Sequence, residues 1–546
     1  MPDTMVAPSV RAETATFDAI VIGAGIAGIY QLHKLRELGL SVRVFEAGGG
    51  VGGTWYWNRY PGARFDSESY TYGYAFSEEL LKEWDWSEHF APQPETERYL
   101  NHVVDRFDLR RDIQLNARVA SAAWDDDARQ WDVVLDGGQS YRCRFLITAV
   151  GPLSADTLPK FDGIADFKGQ SFHTYRWPHA PIDFAGKRVA VIGTGATGVQ
   201  VIQTIAPLVG SLTVFQRTAN WCTPLHNKKI AADEQARIKA GYPAMFERLR
   251  QTPGCYIHDT DPRGTFEVSD EERLAFWERL YAEPGFSIWM ANFRDVLTDL
   301  KANALFSEFV AGKIRQRVKD PVVAERLIPK NHGFGTRRVP QETGYYEVYN
   351  LPHVTLVDTR ETPIVRVTEA GIECSDREHA FDIVIYATGF DAVLGSFERI
   401  DIRGVGGVSL KEHWADGPKT YLGMMSAGFP NLLTIVGPHN ASTRCNIPRC
   451  IEQNVDWASD LVRYAEAHGV TRFDTVPAAE AEWSKHVEEL AAGMLYTQVD
   501  SWLTGINSNV EGRNVRRVLQ YQGGAPQYRE RCDAVAAAGY AGMVLD

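Results

Sequence analysis

Two stretches of the chain share a pattern of an apolar strand, a glycine-rich turn and a helix. The first runs from Phe17 as FDAIVIGAGIAGIYQLHKLRELGLSVRVFEAG, and the second runs from Lys187 as KRVAVIGTGATGVQVIQTIAPLVGSLTVFQRT. Both contain the spacing G-x-G-x-x-G between the strand and the helix. Because this turn is typical of doubly wound sheets, the sequence predicts an α/β protein with two Rossmann-like dinucleotide-binding domains.

The first unit, which we call the first nucleotide unit, carries Gly23, Gly25 and Gly28 and ends its second strand at Glu46. The glycines allow a tight turn, a close approach of the backbone to a pyrophosphate, and close packing of the helix. Glu46 follows Gly28 by eighteen residues, where a carboxylate accepts hydrogen bonds from ribose hydroxyls. This unit predicts a site for FAD.

The second nucleotide unit lacks that acidic residue. Its glycines are Gly193, Gly195 and Gly198, with Thr197 among them, and Gln216 stands where the first unit has Glu46. Arg217 and Thr218 follow, and a guanidinium with a hydroxyl suits a ribose 2′-phosphate. The spacing favours NADP over NAD; the alternative is an arginine that only ends a strand in solvent.

The chain of 546 residues is too long for a single hydrophobic core, so we expect two or three domains. The glycine-poor stretch after Asn227 has charged helical periodicity, and Ser269 with Glu272 predicts a capping box. Later segments include a strand expected to end at Val436. The expected division is a first part of the FAD domain (1–150), a linker with the first part of the NADP domain (151–226), a helical insertion (227–330), the second part of the NADP domain (331–389) and the second part of the FAD domain (390–546), with a mobile loop near 500–513.

Composition excludes several classes of protein. A net charge of −13 argues against nucleic acid or an anionic membrane as the main partner. No run of eighteen apolar residues occurs, and the first sixteen residues carry no apolar signal core. Seven cysteines without a C-x-x-C pair indicate a reducing compartment and argue against a dithiol reductase or a zinc site. We expect a cytoplasmic enzyme without a metal; monomer and homodimer remain open.

An aromatic stretch follows the first nucleotide unit and reads GGVGGTWYWNRYPGARFDSESYTYGY. Glycines beside aromatic residues suggest backbone that passes close to a flat ligand, with rings as walls. The candidate cofactor contacts here are Thr54, Trp55 and Tyr72. Asp66 has two interpretations, a structural carboxylate in a turn or a charge held near the flavin.

A basic pair and a loop supply further candidates. Arg337 and Arg338 are adjacent, and burying them is costly unless they meet an anionic group. Residues 500–513, DSWLTGINSNVEGR, are rich in glycine and asparagine and contain Trp502. This composition predicts a mobile loop.

The segment between the two nucleotide units is FKGQSFHTYRWP. Its aromatic residues alone favour core packing or an interdomain linker. However, its pattern F-x-G-x-x-x-H-x-x-x-W-P resembles the fingerprint of the type I Baeyer–Villiger monooxygenases, flavoproteins of the cyclohexanone monooxygenase kind. The residues that carry this resemblance are Phe167, Gly169, His173, Trp177 and Pro178.

The resemblance extends over nearly the whole chain and implies an activity. NADPH reduces FAD, O2 adds at flavin C4a, and the resulting peroxide, kept deprotonated, attacks a ketone to give an ester or lactone. The segments KDPVVAERLIPK and QRTANWCTPL are similar to the branch that contains the camphor-pathway trimethylcyclopentenylacetyl-CoA monooxygenase. We therefore expect FAD, NADPH, O2 and a cyclic or bicyclic ketone as reactants.

The resemblance also implies roles for individual residues. The family's essential arginine is the second of a Lys-Arg pair and matches Arg338, whose cation would stabilise developing oxyanions. Asp66 matches the carboxylate that orients it. Arg337 departs from the family's lysine and is expected to hold the 2′-phosphate with different geometry. Trp502 matches a tryptophan that orders over bound NADP. His173 and Trp177 are implied to support movement of the linker.

Three points stay open at this level. Arg444, in the atypical segment HNASTRCNI, either lies near the substrate and favours a large or charged one, or is a surface residue. An N- or S-oxygenating flavin monooxygenase shares the two-nucleotide plan, but its fingerprint has Tyr or Phe in place of Trp177. A flavin-binding redox sensor does not explain an intact second nucleotide unit with its own phosphate-binding arginine.

Overall fold

Each nucleotide unit lies at the centre of its own sheet. The computed structural model describes residues 14–440 and 445–546. Within them, one sheet has eight strands and another has five, and three smaller sheets have two or three. The prediction of an α/β fold with two Rossmann-like sheets is confirmed.

The first part of the chain builds most of the eight-stranded sheet. Strand β1 pairs in parallel with β2 and with β6, as expected for a doubly wound sheet. Alternate residues of β1 enter different cores, since Ala19 and Val21 pack on one face and Ile20 and Ile22 on the other. The elements are β1 (Ala15–Ile22), α1 (Ile26–Glu37), β2 (Val42–Phe45), α2 (Thr54–Trp57), α3 (Ser69–Tyr72), α4 (Glu78–Glu83), α5 (Gln93–Arg106), β3 (Ile113–Gln114), β4 (Val119–Asp125), β5 (Gln130–Leu135) and β6 (Ser140–Thr148).

The next part begins the five-stranded sheet and then leaves it for helices. The predicted capping box is confirmed, because Ser269 Oγ accepts from the Glu272 amide at 3.2 Å and the Glu272 side chain bonds back. The elements are β7 (Gln170–His173), β8 (Arg188–Ile192), α6 (Ala196–Ile205), β9 (Ser211–Gln216), β10 (Thr223–Pro224), α7 (Ala232–Gln251), α8 (Asp270–Ala282), α9 (Ser287–Met290), α10 (Leu300–Arg317) and α11 (Pro321–Leu327).

Further strands complete the five-stranded sheet, whose order is β12-β9-β8-β16-β7 with every pair parallel. Strand β7 lies within the fingerprint segment and forms one edge of this sheet. The elements are β11 (Gln341–Glu342), β12 (Val354–Asp358), β13 (Ile364–Val367), β14 (Gly371–Cys374), β15 (Glu378–Ala380) and β16 (Ile383–Tyr386).

The last part returns to the eight-stranded sheet, where β18 pairs with β6. The strand expected to end at Val436 ends at Thr434, because Val436 takes a left-handed φ of 57° that leaves the strand. The amphipathic helix that follows is α14. The elements are α12 (Gly395–Glu398), β17 (Asp401–Arg403), α13 (Leu410–His413), β18 (Leu432–Thr434), α14 (Ile447–His468), β19 (Phe473–Thr475), α15 (Pro477–Ala491), α16 (Gly524–Ala537) and β20 (Met543–Leu545).

Two of the seven cysteines are paired in the structure. Cys445 and Cys450 form a disulfide, although no C-x-x-C pair exists, so the expectation of reduced cysteines does not hold for this pair. The other five cysteines are free and buried.

Among the described residues, every helix is too short or too polar to cross a bilayer.

Candidate active site

A cleft of about 1200 Å³ opens along the first nucleotide unit. Its walls come from the glycine turn, from the end of β2, from the aromatic stretch and from the segment after β6. The predicted cofactor residues on these walls are Gly23, Gly25, Glu46, Thr54, Trp55 and Tyr72. The structure therefore gathers six residues of the sequence prediction around one elongated cleft.

Gly28 lies in helix α1, beneath the cleft, at a position where a larger residue would not fit. A Cβ atom at Gly28 would meet the Gly23 carbonyl oxygen at 1.8 Å. Gly23 itself has a φ of 105°, and its Cβ would meet the Ala149 carbonyl oxygen at 2.6 Å. The helix N-terminus is thus pressed against the strand end, where its amides face the cleft.

Glu46 is buried at the end of β2, and its carboxylate is tied to the backbone. Its Oε2 accepts from the Ala24 amide at 2.8 Å, and its Oε1 accepts from the Gly48 amide at 2.7 Å. Each carboxylate oxygen keeps a further lone pair, so Glu46 still has acceptor capacity toward the cleft. The glycine turn and the acidic residue are therefore one rigid unit.

The aromatic stretch forms a packed wall of this cleft. The Trp55 indole donates to the Tyr72 hydroxyl at 3.1 Å, and the Tyr72 ring stacks on Phe65 at 4.2 Å. Burial raises the pKa of Tyr72, so its phenol stays protonated. These contacts suit a flat ring system as the cleft's occupant. Together with the glycine turn, they fit the shape and polarity of FAD.

The second nucleotide unit repeats the glycine geometry. Gly193 has a φ of 109°, Gly195 precedes helix α6, and a Cβ at Gly198 would meet the Gly193 carbonyl oxygen at 2.2 Å. Thr197 lies in the first turn of α6, close to the buried Tyr60 of the aromatic stretch. The same strand-turn-helix packing therefore occurs twice in the molecule.

The side chains of Gln216 and Arg217 have different surroundings at the end of β9. Gln216 is fully buried, and its Nε2 donates to the Arg326 carbonyl at 2.8 Å. Arg217 points into solvent, where its Nη1 donates to Ser508 Oγ at 2.6 Å. The Thr218 carbonyl accepts from Thr194 Oγ1 at 2.9 Å. Where the first unit presents a carboxylate, the second presents a cation.

Arg337 reaches the same loop as Arg217. Its Nη2 donates to the Asp500 carbonyl at 2.6 Å, and its Nε is buried without a partner among the described residues. Burial lowers the pKa of Arg337, and the nearby charge of Arg217 lowers it further. Two arginine side chains that reach the same loop, one of them with a free donor, have the charge and the donors that a doubly charged anion needs.

Arg338 points away from Arg337 and pairs with Asp66. Its Nη2 donates to Asp66 Oδ2 at 2.9 Å, across 272 residues of sequence. Burial raises the pKa of Asp66, and the Arg338 charge opposes that rise. Asp66 Oδ1 is buried without a hydrogen-bond partner in the described part of the chain. The two candidate catalytic residues are thus brought together.

The Arg338 guanidinium lies over two aromatic rings. Its centre is 4.7 Å from the Phe286 ring and 5.7 Å from the Trp289 ring, both on or beside α9. Trp289 also lines a small cavity together with Gly335 and Leu503. This cavity adjoins the basic pair and the 500–513 loop, so it is the candidate ketone pocket.

The fingerprint residues are structural supports in this structure. Phe167 and Trp177 are buried on opposite faces of the five-stranded sheet, and a Cβ at Gly169 would meet the Asp382 carbonyl at 2.6 Å. His173 ends β7, is buried, and its Nδ1 accepts from the Tyr175 amide at 3.1 Å. Burial lowers the pKa of His173, so it is neutral at pH 7. Pro178 follows Trp177 at half exposure.

Two residues inside the fingerprint line the FAD cleft, and the sequence argument missed both. Tyr175 stacks on Trp57 at 5.4 Å, and Arg176 makes two hydrogen bonds of 3.1 Å to Asp156. The Tyr175 ring also meets the Phe390 ring edge-on at 5.4 Å. Both residues occupy x positions of the motif, where any amino acid is allowed, so the pattern could not identify them. The fingerprint therefore joins the five-stranded sheet to the cleft.

The 500–513 loop is docked on the molecule at both ends. Arg513 is buried and donates to Asp391 Oδ1 at 2.8 Å and to Glu398 Oε1 at 2.7 Å. Asn507 Nδ2 donates to the Phe390 carbonyl at 2.8 Å. Trp502 begins a short 3-10 helix and is partly buried. The sequence prediction about Arg444 lies outside the described residues.

The comparisons with known proteins agree with this geometry. Residues 18–229 match the family model described as "Flavin-binding monooxygenase-like". The 2-oxo-Δ3-4,5,5-trimethylcyclopentenylacetyl-CoA monooxygenase of Pseudomonas putida is 48% identical over 98% of this chain and 99% of its own length. The phenazine N-monooxygenase PhzNO1 of Lysobacter antibioticus is 42% identical over 97% and 96%, respectively.

Solved structures are similar over almost the entire chain. A crystal structure of OTEMO in complex with FAD and NADP has a TM-score of 0.94 at 47% identity, covering 98% of this chain and 100% of that one. A closed structure of cyclohexanone monooxygenase has a TM-score of 0.95 at 42% identity, with the same coverage. A two-sheet flavoprotein with separate sites for FAD and NADP is thereby defined.

The chain belongs to the Baeyer–Villiger monooxygenases, enzymes that use FAD and NADPH. The resemblance drawn from the fingerprint segment and the prediction of both cofactors are confirmed.

Proposed function

We propose that this protein inserts one oxygen atom of O2 beside the carbonyl of a cyclic or bicyclic ketone to give a lactone, with NADPH as electron donor. The observation that carries the proposal is the Arg338–Asp66 ion pair of 2.9 Å. Asp66 comes from the stretch behind the first nucleotide unit, and Arg338 stands beside the arginine that serves the second. A fixed cation at the junction of two cofactor sites suits charge that develops on oxygen.

The first nucleotide unit holds FAD in this proposal. The glycine turn at Gly23 and Gly25 would receive the pyrophosphate at the N-terminus of α1, and Glu46 would bind the ribose. Thr54, Trp55 and Tyr72 line the same cleft and would hold the ring system. Once bound, FAD supplies electron transfer from NADPH and activation of O2.

The second nucleotide unit holds NADPH. Gly193, Gly195, Thr197 and Gly198 would form the turn for its pyrophosphate. The 2′-phosphate would be held by Arg217, Thr218 and Arg337. Arg217 and Arg337 now bond to Ser508 and to the Asp500 carbonyl, which lie in the loop that carries Trp502. The phosphate and the loop therefore share the same two arginines, and we assign Trp502 to the wall of the occupied site.

Arg338 acts by electrostatics and position. Asp66 Oδ2 accepts from Nη2, and the Val339 carbonyl accepts from Nη1. The Phe286 and Trp289 rings support the plane of the guanidinium, so the N–H groups that remain free have a fixed direction. A preorganised cation needs no rearrangement when negative charge develops on the carbonyl oxygen of the ketone. Asp66 thus positions Arg338 rather than acting on substrate.

N-oxygenation of an aromatic heterocycle is a second candidate. It is favoured by the 42% identity to a phenazine N-monooxygenase over nearly the whole chain, which means that membership of this family does not restrict the acceptor atom to carbon. Both reactions need the same cofactor sites. They differ in the acceptor that the cavity beside Trp289 admits.

Product analysis by mass spectrometry tests the proposal. The purified protein is incubated with NADPH, air and a panel of cyclic and bicyclic ketones, one thioether and one phenazine. A lactone is the expected product. N-oxide or sulfoxide without any lactone would refute ketone oxygenation and support the second candidate.

The proposal also covers the domain division, the cellular location and the oligomeric state. The domain division at residues 150, 226, 330 and 389 follows the change between sheets and helices along the chain. A cytoplasmic location is supported by the demand for NADPH. Size-exclusion chromatography with light scattering distinguishes a monomer from a homodimer.

A further inference from the structure

Trp289, on α9, holds a hydrogen-bond donor that the protein does not use. The residue is 4% exposed, and its Nε1 is buried without a hydrogen-bond partner among the residues that the structure describes. Trp277, on α8, shows the usual case, since its Nε1 donates to Asn292 Oδ1 at 3.1 Å. A buried donor without a partner is costly, so we expect the Trp289 N–H to bind a group from outside the chain.

The N–H edge of the Trp289 ring borders the small cavity that Gly335 and Leu297 also line. A Cβ atom at Gly335 would lie 2.8 Å from Trp289 Nε1 and 2.6 Å from Leu297 Cδ2. Any side chain at this position would therefore cover the donor. Because residue 335 is glycine, the space in front of Nε1 stays open toward the cavity.

The Trp289 ring is fixed by its two neighbours. It packs edge-on against the Phe286 ring at 5.7 Å, and the Arg338 guanidinium lies over it, also at 5.7 Å from its centre. An indole N–H lies in the plane of its ring, so it points to the side of a cation that lies over the ring face. Among the described residues, Arg338 is not part of the cavity wall. The acceptor of Trp289 is thus a different atom from the carbonyl oxygen that we assign to Arg338.

The wall of the cavity determines which acceptor fits. Leu297, Met494 and Leu503 supply apolar surface, and the described part of the wall has no charged side chain. The Leu495 amide donates to the Leu297 carbonyl at 3.1 Å, which joins two segments of this wall. An ionised carboxylate would lose its hydration here without gaining a counter-charge, whereas a neutral carbonyl oxygen is satisfied by one donor.

We propose that the Trp289 N–H binds a second, neutral carbonyl oxygen of the substrate and so determines specificity. The inference rests on the proposed oxygenation, since the first carbonyl is the one that is oxygenated beside Arg338. The substrate class is thereby narrowed to ketones with another carbonyl group, such as diketones and oxo-esters. Trp289 binds the substrate in this assignment and takes no part in the chemical step.

A matched pair of ketones tests the proposal in the holoenzyme. One is the dione of two fused cyclopentane rings, and the other is the monoketone in which one carbonyl is replaced by a methylene group. The ratio of their kcat/KM values, corrected for the two reactive carbonyls of the dione, isolates the second oxygen. The wild type should prefer the dione by about 10-fold, as expected for one neutral hydrogen bond.

Trp289→Phe removes the N–H and keeps an aromatic ring beside Arg338. It should abolish the preference for the dione, mainly through a higher KM for the dione. Trp483→Phe is the matched control, because Trp483 is also 4% exposed and its Nε1 also lacks a partner among the described residues, but its ring stacks on Tyr521 at 5.4 Å outside the cavity wall. The control should keep the preference. No preference in the wild type, or an equal loss in both variants, would overturn the proposal.

A second variant protects the test against misfolding. Benzothienylalanine in place of Trp289 replaces only the N–H with sulfur, so the shape of the ring and its contact with Arg338 are kept. This variant should also lose the preference for the dione. If it retained the preference, the hydrogen bond would be refuted even where Trp289→Phe does not fold.

A measurement without turnover separates this inference from the proposed function. The indole ¹H–¹⁵N resonance of Trp289, identified by its loss in either variant, is followed in the oxidised holoenzyme with NADP⁺ while the dione is added. The dione should shift this resonance more than the monoketone does. Equal shifts, or none, would show that the donor binds only an ordered water and would overturn the proposal. A shifted resonance without any lactone would refute the oxygenation and leave the hydrogen bond in place.

Discussion

The two nucleotide units have the same backbone and opposite electrostatics. In both, the third glycine packs its helix on the carbonyl of the first, at Gly28 and at Gly198. In the first, the strand ends in Glu46, which the turn amides hold; in the second, Gln216 turns into the core and Arg217 faces outward. Packing therefore sets the fold of such a unit. One or two residues at the end of the strand determine whether the unit binds ribose hydroxyls or a 2′-phosphate.

The largest expected effect separates the two arginines of the basic pair. Arg338→Ala should retain FAD but lose oxygenated product by about 100- to 1000-fold, since removing one preorganised donor to a developing oxyanion costs about 2.7–4 kcal/mol. Arg337→Ala, the control, should weaken NADPH binding and retain turnover at saturating NADPH. Lactone yields and flavin content measure both. If Arg338→Ala formed as much oxygenated product as the wild type, the assignment of Arg338 to the reaction site would be wrong.

The next effect tests the shared backbone. Gly28→Ala and Gly198→Ala place a Cβ at 1.8 Å and 2.2 Å from a carbonyl oxygen, so each should destabilise its own domain by about 3 kcal/mol. Gly28→Ala should be purified without its yellow colour, whereas Gly198→Ala should keep FAD and lose NADPH affinity. Absorbance and thermal melting follow both changes. If Gly198→Ala lost FAD first, the assignment of the two units would be reversed.

The third effect tests the electrostatic difference. Arg217→Ala should lower the preference for NADPH over NADH by about 30-fold, because a charged hydrogen bond contributes about 2 kcal/mol. Arg217→Lys serves as control and should keep most of the preference, since it keeps the charge. Steady-state kinetics with both nucleotides provide the ratio. An unchanged ratio in Arg217→Ala would leave the phosphate to other residues.

The smallest effect concerns acid stability beside the second unit. Burial, together with the charge of Arg337, lowers the pKa of His332 from 6.5 to about 3. The unfolded chain therefore takes up a proton below about pH 6.5 that the folded protein refuses until about pH 3, so stability falls as the pH falls through this window. His332→Asn should reduce the loss between about pH 7 and 5 by about 2 kcal/mol in denaturant titrations. An equal loss in both proteins would contradict the assignment.

The sequence was sufficient where function depends on local spacing. Gly23 to Glu46 and Gly193 to Arg217 each lie within one strand-turn-helix-strand stretch, so their proximity follows from the fold class. The Asp66–Arg338 pair was expected only through the family resemblance, since 272 residues separate its members. The Glu68–His258 pair and the Arg217–Ser508 contact had no signal at all, because each joins separate segments through tertiary packing.

The strand that ends at Thr434 instead of Val436 shows a different limit. Val436 is β-branched and apolar, so its propensity favours a strand, but it lies in a turn and has a φ of 57°. The Cys445–Cys450 disulfide was missed for a different reason, since a separation of five residues matches no common redox motif.

One measurement tests the central claim that Arg338, between the two units, serves an oxygenation. Wild-type protein and Arg338→Ala, both loaded with FAD, are given NADPH, a bicyclic ketone and ¹⁸O2, and the products are analysed by mass spectrometry. We expect a lactone with one ¹⁸O atom from the wild type and no labelled lactone from the variant. NADPH consumption by the wild type without labelled lactone, or equal labelled lactone from both proteins, would contradict it.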